Sequence, residues 1–139
     1  MAEQSTIPSE LRCLVVTPEA TVLSTEADFV TLPLFDGECG IAPQHSPMIG
    51  RLGFGELRIR RGKEESRYYV DGGFVQVVDN IVSVLTNRAV PAGDLDTAVA
   101  SELLRTALER QAAGPEQLAV RDRLIAQARG QLRVADRVR

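Results

Sequence analysis

The feature that most constrains the fold is a change of sequence pattern at Pro91, Ala92 and Gly93. Before these residues, from Leu11 to Val90, short apolar runs alternate with turn residues, as in β-strands. After them alanine, leucine, glutamate and arginine dominate, which favours helices. A chain of 139 residues divided in this way predicts a small β domain followed by a helical segment.

The first part of the chain has the pattern of many short strands. Leu11 to Val16 and Asp28 to Phe35 are apolar runs, and Glu56 to Arg60 alternates apolar with charged residues, as a half-buried strand does. Arg61 to Glu64 predicts a hairpin turn into the next strand. Short strands at close spacing, without an amphipathic helix among them, favour an antiparallel sandwich or barrel.

Glycines interrupt this β part in two places. Gly50, Gly53 and Gly55 match neither the dinucleotide-binding nor the Walker spacing, and we predict that they form turns between strands. Gly72 and Gly73 predict a bulge or a close approach of two backbones within the sheet, with a contact surface as the second interpretation.

The second part predicts two helices separated by the break Ala113 to Pro115. Asp94 to Ala112 has the acidic start and composition of a helix, and glycine and proline suit the end of one helix and the first turn of the next. From Glu116 onward an apolar stripe recurs, formed by Leu118, Ile125 and Leu132 with Leu124, Ala128 and Ala135 beside them. The short break predicts an antiparallel hairpin, and its alanine-rich faces predict modest docking on the β domain.

Composition excludes several classes of protein. The formal net charge is -3, the pI is about 5.2 and tryptophan is absent, which argues against nucleic acid as a partner. No apolar run approaches the roughly 20 residues that span a bilayer, and residues 1–10 lack the pattern of a secretory signal. We therefore expect a soluble, cytosolic protein without a transmembrane segment.

Patterns for catalysis and metal binding are missing from the sequence. His45 is the only histidine, and Ser46 beside it is followed by Pro47 and belongs to no G-x-S-x-G motif. The sequence contains no H-E-x-x-H motif, and Cys13 and Cys39 lack C-x-x-C spacing. We predict no catalytic site, no metal, no cofactor and no disulfide.

The stretch GECGIAPQHSPMIG, residues 37–50, concentrates three glycines, two prolines and the histidine. Glycine and proline restrict such a segment to a defined shape, so we expect a rigid loop that presents Glu38, Gln44 and His45. A rigid polar loop is usually a contact site for a binding partner. For His45, a hydrogen bond to neighbouring backbone and a role at an interface remain equally open.

Three segments together carry a family resemblance. The first is G-E-x-G-I-x-P-x-H-x-P at residues 37–47, the second is G-G-x-x-x-V at 72–77 with V-x-V-L at 82–85, and the third is AQARGQLRV at 126–134. In this order they resemble the epsilon subunit of the rotary F-type ATP synthase, from Leu11 to the C-terminus. The first two segments form a specific pair, whereas either alone is weak.

The resemblance implies a fold and a function. The fold is an N-terminal antiparallel β-sandwich of about ten short strands, residues 11–91, followed by a C-terminal antiparallel two-helix hairpin, residues 92–139. The function is that of a non-catalytic rotor subunit of the central stalk, which joins the gamma subunit to the c-ring and couples proton flow to ATP synthesis. Arginine-rich usage and the lack of a transit peptide suggest a bacterial protein, peripheral on the cytoplasmic face of the inner membrane.

Site residues follow from the same resemblance. Glu38 falls where the family contacts the c-ring loop, and Gln44 and His45 lie in the same shaped loop. Gly72 and Gly73 precede a strand near gamma. We therefore expect these five residues at the interface with the c-ring and gamma.

The helical part has a basic C-terminal segment. Six arginines, Arg121, Arg123, Arg129, Arg133, Arg137 and Arg139, stand against Asp122 and Asp136, a net charge of +4. In the family, basic residues of an extended hairpin meet an acidic segment of a beta subunit and block ATP hydrolysis. Arg121, Arg123, Arg129 and Arg133 are the matching candidates, although a charge run is most often only a solvated face.

Some family members bind ATP through an I/L-D-x-x-R-A motif at the start of the first helix. This chain has Leu95, Asp96, Val99 and Ala100 at the corresponding positions, so the motif arginine is replaced by valine. We predict weak or absent ATP binding. The alternatives to a rotor subunit are a stand-alone ATP-sensing sandwich, which predicts saturable ligand binding, and an enzyme that uses His45.

Overall fold

The computed structural model describes residues 10–136. This part of the chain contains eight strands, a short 3-10 turn at Ala92–Asp94 and two helices. The strands are β1 (Leu11–Val16), β2 (Thr21–Ala27), β3 (Phe29–Leu34), β4 (Gly37–Ile41), β5 (Met48–Arg61), β6 (Glu64–Val78), β7 (Ile81–Leu85) and β8 (Ala89–Pro91). The helices are α1 (Thr97–Glu109) and α2 (Pro115–Asp136).

The strands form one sheet in the order β2-β1-β7-β6-β5-β3-β4, with β8 paired to the first half of β6. All described pairs are antiparallel except β1 with β7. The sheet folds over on itself as a sandwich, because residues from both ends of the strand order share one apolar core. Its most buried members include Val15, Val30, Leu57, Val75 and Val84. The predicted sandwich followed by a helical hairpin is confirmed.

Two long strands, β5 and β6, explain why the structure describes eight strands where about ten short ones were expected. They have 14 and 15 residues and pair along their whole length, joined at Gly62, whose φ is +63°. Strand β6 lies beside β8 in its first half and beside β7 in its second half. Each is much longer than the short strands that the sequence predicted, such as Glu56 to Arg60 within β5.

The prediction that Gly50, Gly53 and Gly55 form turns between strands was wrong. All three lie inside β5. A Cβ atom at Gly55 would lie 2.9 Å from Cβ of Pro33 in β3, and one at Gly50 would lie 3.1 Å from the Leu34 side chain. These glycines are required by close contact with neighbouring elements and not by a change of chain direction.

The predicted close approach of backbones at Gly72 and Gly73 is confirmed. Both residues have positive φ angles, +72° and +109°, which glycine adopts without steric cost. A Cβ atom at Gly73 would overlap the carbonyl oxygen of Leu85 in β7. The glycine pair thus lies at the junction where β6 changes its neighbour from β8 to β7.

The helical hairpin forms as predicted, with different limits. Helix α1 begins later than expected because Asp96 is its N-cap, with Oδ1 accepting hydrogen bonds from the amides of Ala98 (2.9 Å) and Val99 (3.2 Å). It ends at Glu109, so the break before α2 covers residues 110–114 and not only 113–115. Gly114 has a φ of +88°, and Pro115 is the first residue of α2, as its fixed φ favours.

Helix α2 packs against α1 and also against β5 and β6. Its buried residues are Ala128, Gly130, Gln131, Val134 and Ala135. The predicted apolar stripe is therefore only partly correct, since Leu118 is 46% exposed. Small residues form the buried face because the helix lies close to the sandwich.

A second apolar cluster lies under the hairpin. Tyr69, Ala92 and Val134 are buried together, with Phe54 and Leu95 packed beside them. A Cβ atom at Gly130 would lie only 2.7 Å from the carbonyl oxygen of Phe54. This close contact holds α2 against β5.

Candidate interaction surfaces

The polar loop between β4 and β5 covers residues 42–47, which is shorter than predicted, because residues 37–41 and 48–50 belong to strands. Its shape is fixed by hydrogen bonds. The amide of Gln44, at a φ of +70°, donates to Oδ1 of Asn80 in the β6–β7 turn (2.5 Å), and the amide of His45 donates to the carbonyl of Ala42 (3.2 Å). The loop is therefore tied to a second turn of the sandwich.

The side chain of His45 also bonds to local backbone. Its Nδ1 lies 2.7 Å from the carbonyl oxygen of Ser46 and donates to it. This contact agrees with the first of the two interpretations of His45, a hydrogen bond to neighbouring backbone. The ring is partly exposed.

Glu38 lies on β4, at the edge of the sheet, where it forms an ion pair. Its Oε2 is 3.2 Å from Nη1 of Arg58, and the same Nη1 donates to Oε1 of Glu56 at 3.0 Å. Burial lowers the pKa of Arg58, but hydrogen bonds to Glu56 and Glu38 outweigh it, so the pKa lies above its usual value. Arg58 therefore stays charged between two carboxylates.

An exposed apolar face covers the outer side of β5, β6 and β7. Phe74 is 56% exposed and lies opposite Leu85 (48% exposed) on β7 and opposite Arg51 on β5. Ile49, two residues before Arg51 on the same face, is 77% exposed. The guanidinium of Arg51 lies 4.6 Å above the ring of Phe35, which extends the surface towards β3. We call Phe35, Ile49, Phe74 and Leu85 the apolar face.

The apolar face is not evident from the sequence. Its members come from separate segments, and each is an ordinary apolar residue of a strand pattern. The alternation in β5 and β6 indicates which residues share a side, but the side that faces solvent depends on how the sheet folds. The only available signal was Phe74, directly after the glycine pair of the family motif.

A groove of about 1170 Å³ lies between α2 and the sandwich. It brings together several of the predicted site residues: Glu38, Gly72, Gly73, Arg123, Arg129 and Arg133. Gln44, His45 and Arg121 are not among its lining residues. Arg51 and Phe35 are also among its lining residues, so the groove is continuous with the apolar face.

The predicted arginine cluster is divided between two environments. Arg121 donates from Nη2 to the carbonyl of Leu108 (3.3 Å), near the C-terminal end of α1. Arg133 donates to the carbonyl of Phe54 (3.4 Å), while Arg123 and Arg129 are exposed beside the groove. Arg137 and Arg139 lie outside the described residues. Residues 1–9, which lack the pattern of a secretory signal, also lie outside them.

A polar cluster joins the hairpin to the sandwich. Oδ1 of Asp71 in β6 accepts hydrogen bonds from Nε2 of Gln127 (2.9 Å) and from the hydroxyl of Tyr69 (3.1 Å). The amide of Asp71 donates to Oγ1 of Thr86 at 3.0 Å. Burial and the negative charge of Asp71 raise the pKa of Tyr69 far above its usual value, so its hydroxyl remains protonated.

The residues of the altered ATP motif lie at the start of the first helix. The Asp96 carboxylate is the N-cap of α1, Ala100 is buried and Val99 is 53% exposed. A second groove of about 630 Å³, between the helices and the sandwich, is lined instead by residues that include Asp71, Arg88, Thr106 and Gln131. Leu95, Asp96, Val99 and Ala100 are not among its lining residues.

The sequence predicts neither a metal site nor a transmembrane segment. Among residues 10–136, no group of three or more histidine, cysteine, aspartate or glutamate side chains is placed to hold a metal ion. Neither described helix is long and apolar enough to cross a membrane.

Comparisons with known proteins identify the family. The family model for the ATP synthase, Delta/Epsilon chain, beta-sandwich domain matches residues 10–92. The ATP synthase epsilon chain of Rhodopirellula baltica is 51% identical over 125 residues, which are 90% of this chain and 98% of that one. The chain belongs to the ATP synthase epsilon family. As an epsilon chain it is a subunit of the synthase and not one of its catalytic subunits.

Further relatives agree with this membership. The ATP synthase epsilon chain of Rubrobacter xylanophilus is 36% identical over 108 residues, 78% of this chain and 74% of that one. A chain in the Euglena gracilis mitochondrial ATP synthase structure of OSCP, F1 and c-ring superposes with a TM-score of 0.75 at 23% identity, covering 99% of this chain and 84% of that one. A chain in the Tetrahymena thermophila mitochondrial ATP synthase structure of central stalk and c-ring superposes with a TM-score of 0.73 at 13% identity, covering 94% of this chain and 99% of that one. At these identities the two superpositions establish the epsilon fold alone.

Proposed function

We propose that the chain is the rotor subunit of the central stalk, which joins the gamma subunit to the c-ring and so couples proton flow to ATP synthesis. The observation that carries the proposal is the apolar face beside a rigid polar loop. Contiguous exposed apolar side chains on a small protein mark a docking surface. The two solved structures that share this fold come from ATP synthases and are described with the c-ring.

The apolar face suits the gamma subunit. Phe74 and Leu85 are cross-strand neighbours, and Arg51 over Phe35 adds a charged group held by an aromatic ring. Aromatic side chains and arginine are residue types that are enriched at the centre of protein interfaces. Gly72 and Gly73, directly before Phe74, fix the strand that carries this face.

The polar edge of the sandwich suits the c-ring. Glu38 on the edge strand, with Gln44 and His45 in the loop 42–47, offers a carboxylate, an amide and an imidazole on a backbone fixed by hydrogen bonds. Polar groups on a rigid frame provide orientation with a small entropy cost. The sandwich of residues 11–91 is thus the proposed anchor of the subunit.

The hairpin of residues 92–139 is the proposed regulatory part. Between residues 92–136 and the sandwich, the described contacts include one small apolar cluster and a few hydrogen bonds, among them the bond from Arg133 to the carbonyl of Phe54. When the hairpin leaves the sandwich, Arg121, Arg123, Arg129 and Arg133 become available to an acidic segment of a beta subunit and inhibit ATP hydrolysis. The host complex is bacterial, and the subunit is peripheral on the cytoplasmic face of the cell membrane.

Calorimetric titration of the full chain with the gamma subunit of the same organism tests the anchor. Leu85→Asp places a charge in the proposed interface and should weaken binding at least tenfold, about 1.4 kcal/mol. Leu118→Asp is the matched control, since Leu118 has nearly the same exposure, 46% against 48%, but lies on α2. Equal affinities for the two variants would contradict the proposed gamma surface, provided both retain the wild-type circular dichroism spectrum.

A further inference from the structure

Five charged side chains form a continuous ladder across the outer side of β4, β5 and β6. Arg58 Nη1 lies 3.2 Å from Oε2 of Glu38 and 3.0 Å from Oε1 of Glu56. Arg67 Nε lies 3.5 Å from Oε2 of Glu56 and 3.6 Å from Oε1 of Glu65. The strand register pairs Arg58 with Arg67, which places both arginines beside Glu56. We call these five residues the charge ladder.

The charge ladder is anchored at Glu56. The Glu56 side chain is 2% exposed, whereas Arg58 is 20% and Glu38 is 52% exposed. Burying a carboxylate removes its hydration, which costs free energy, and cationic partners are needed to offset that cost. Arg58 is therefore fixed on its buried side, and its contact with Glu38 is the exposed end of a rigid arrangement.

Arg58 reaches Glu38 across an intervening strand. Strand β3 lies between β5 and β4, and its Thr31 pairs with Arg58 on one side and Gly40 on the other. Residue 40 is a glycine, and a Cβ atom there would lie 2.5 Å from the ring of Phe29, so the ring takes the space that a side chain at position 40 would need. The contact limits the rotamers of Glu38, a long side chain on an edge strand. Since this side chain is already ordered, it loses less conformational entropy when it binds a partner.

We propose that Arg58, fixed by Glu56, is a positioning residue that holds the Glu38 carboxylate in place for contact with the c-ring. This inference rests on the proposed function. Glu38 makes the contact with a basic or hydrogen-bond-donating group of the ring, and Arg58 acts only through Glu38. The role explains why Arg58, on a strand separated from the edge strand β4 by β3, is held by a buried carboxylate and still reaches Glu38.

A double-mutant cycle tests the proposal with the full chain, the gamma subunit and the c-ring. Affinity of the epsilon–gamma complex for the ring is measured for wild type, Glu38→Gln, Arg58→Gln and the double variant. Each single change should weaken ring binding about fivefold, and the double variant should be no weaker than Glu38→Gln. An Arg58→Gln effect that is equal in both backgrounds, or absent, overturns the proposal.

A second variant covers the case in which Arg58→Gln does not fold. Arg58→Lys keeps a positive charge beside Glu56, but the lysine side chain is one bond shorter than the arginine side chain up to Nη1, the atom that contacts both carboxylates. It should retain the wild-type melting temperature within a few degrees and still weaken ring binding in a Glu38-dependent way. If a structure of Arg58→Lys shows that residue 58 no longer bonds to Glu38, wild-type ring affinity in this variant would contradict the positioning role.

Two controls separate this inference from the proposed function. Arg60→Gln changes an arginine on the same strand, whose guanidinium lies 5.2 Å from the Phe29 ring, and should leave ring affinity unchanged. Gamma affinity is measured separately for every variant and should stay constant. If Glu38→Gln weakens ring binding but neither Arg58 variant does, only this inference fails. If wild type binds neither, both fail.

Discussion

Gln127 of α2 donates from Nε2 to Oδ1 of Asp71 in β6 at 2.9 Å, and this hydrogen bond ties the hairpin to the sandwich. The same Asp71 oxygen accepts from the hydroxyl of buried Tyr69, and Asp71 itself is only 9% exposed. Hydrogen bonds to a charged acceptor are stronger than neutral ones, and they are costly to leave half satisfied. The position of the hairpin therefore depends on a small number of identifiable contacts.

Removing the Gln127 amide should loosen the hairpin without unfolding the sandwich. Gln127→Ala deletes a charge-assisted hydrogen bond and should reduce the free energy of hairpin docking by about 1–3 kcal/mol. Hydrogen exchange of α2 amides should accelerate, whereas exchange in β5 and β6 should not change. Gln111→Ala, in the exposed break between the helices, is the control. Equal acceleration in both variants would show that the Asp71 bond does not hold the hairpin.

Adding a methyl group at Gly130 should have a similar effect for a steric reason. The new Cβ would lie 2.7 Å from the Phe54 carbonyl oxygen, so α2 must shift away from β5 even though alanine favours the helix itself. Gly130→Ala should accelerate α2 exchange, whereas Gly93→Ala, with no atom within 4 Å of the new Cβ, should not. Unchanged exchange in Gly130→Ala contradicts the close contact.

Four arginines of α2 should carry the inhibition of ATP hydrolysis. Replacing Arg121, Arg123, Arg129 and Arg133 with alanine should raise the hydrolysis rate of the reconstituted complex several-fold, because the acidic partner segment loses its counter-charges. Arg105→Ala is the control, since Arg105 pairs with Glu102 and Glu109 within α1. Inhibition that survives the fourfold replacement would remove these arginines from the mechanism.

ATP should bind weakly or not at all. Val99 offers no charge to a phosphate, and the Asp96 carboxylate already accepts two backbone hydrogen bonds as the N-cap of α1. Calorimetric titration of the full chain with ATP and magnesium should give no saturable heat at micromolar concentrations. A micromolar dissociation constant would contradict this and favour the ATP-sensing alternative.

The two cysteines should react at very different rates. Cys13 is fully buried, and burial raises the pKa of its thiol to about 12, so almost no thiolate exists at pH 8. Cys39 is partly exposed. A thiol reagent at pH 8 should modify Cys39 first and Cys13 only after denaturation. Two fast-reacting thiols in the folded chain would contradict the packing of β1.

Local sequence patterns predicted the elements that depend on local chemistry. The change of pattern at Pro91 marks the end of the last described strand, and Gly114 with Pro115 separates the two helices. The limits of β1 agree with its apolar run, Leu11 to Val16. Turn, cap and propensity signals act over a few residues, so the sequence carries them directly.

Features that depend on tertiary packing were not predictable in the same way. Glycine serves both turns and close contacts, so Gly50, Gly53 and Gly55 were assigned to turns although they lie within β5. The apolar stripe on α2 did not indicate that Leu118 stays exposed. For the site, the motif predicts a role for Glu38, but the sequence does not indicate its partner Arg58, which lies 20 residues away and across β3.

Co-elution with the gamma subunit is the most direct test of the central claim. The full chain and gamma from the same organism are mixed and separated by size-exclusion chromatography, with each protein run alone for comparison. We expect a one-to-one complex that forms through the apolar face and does not form with Leu85→Asp. Separate elution of the two wild-type proteins would contradict the rotor assignment.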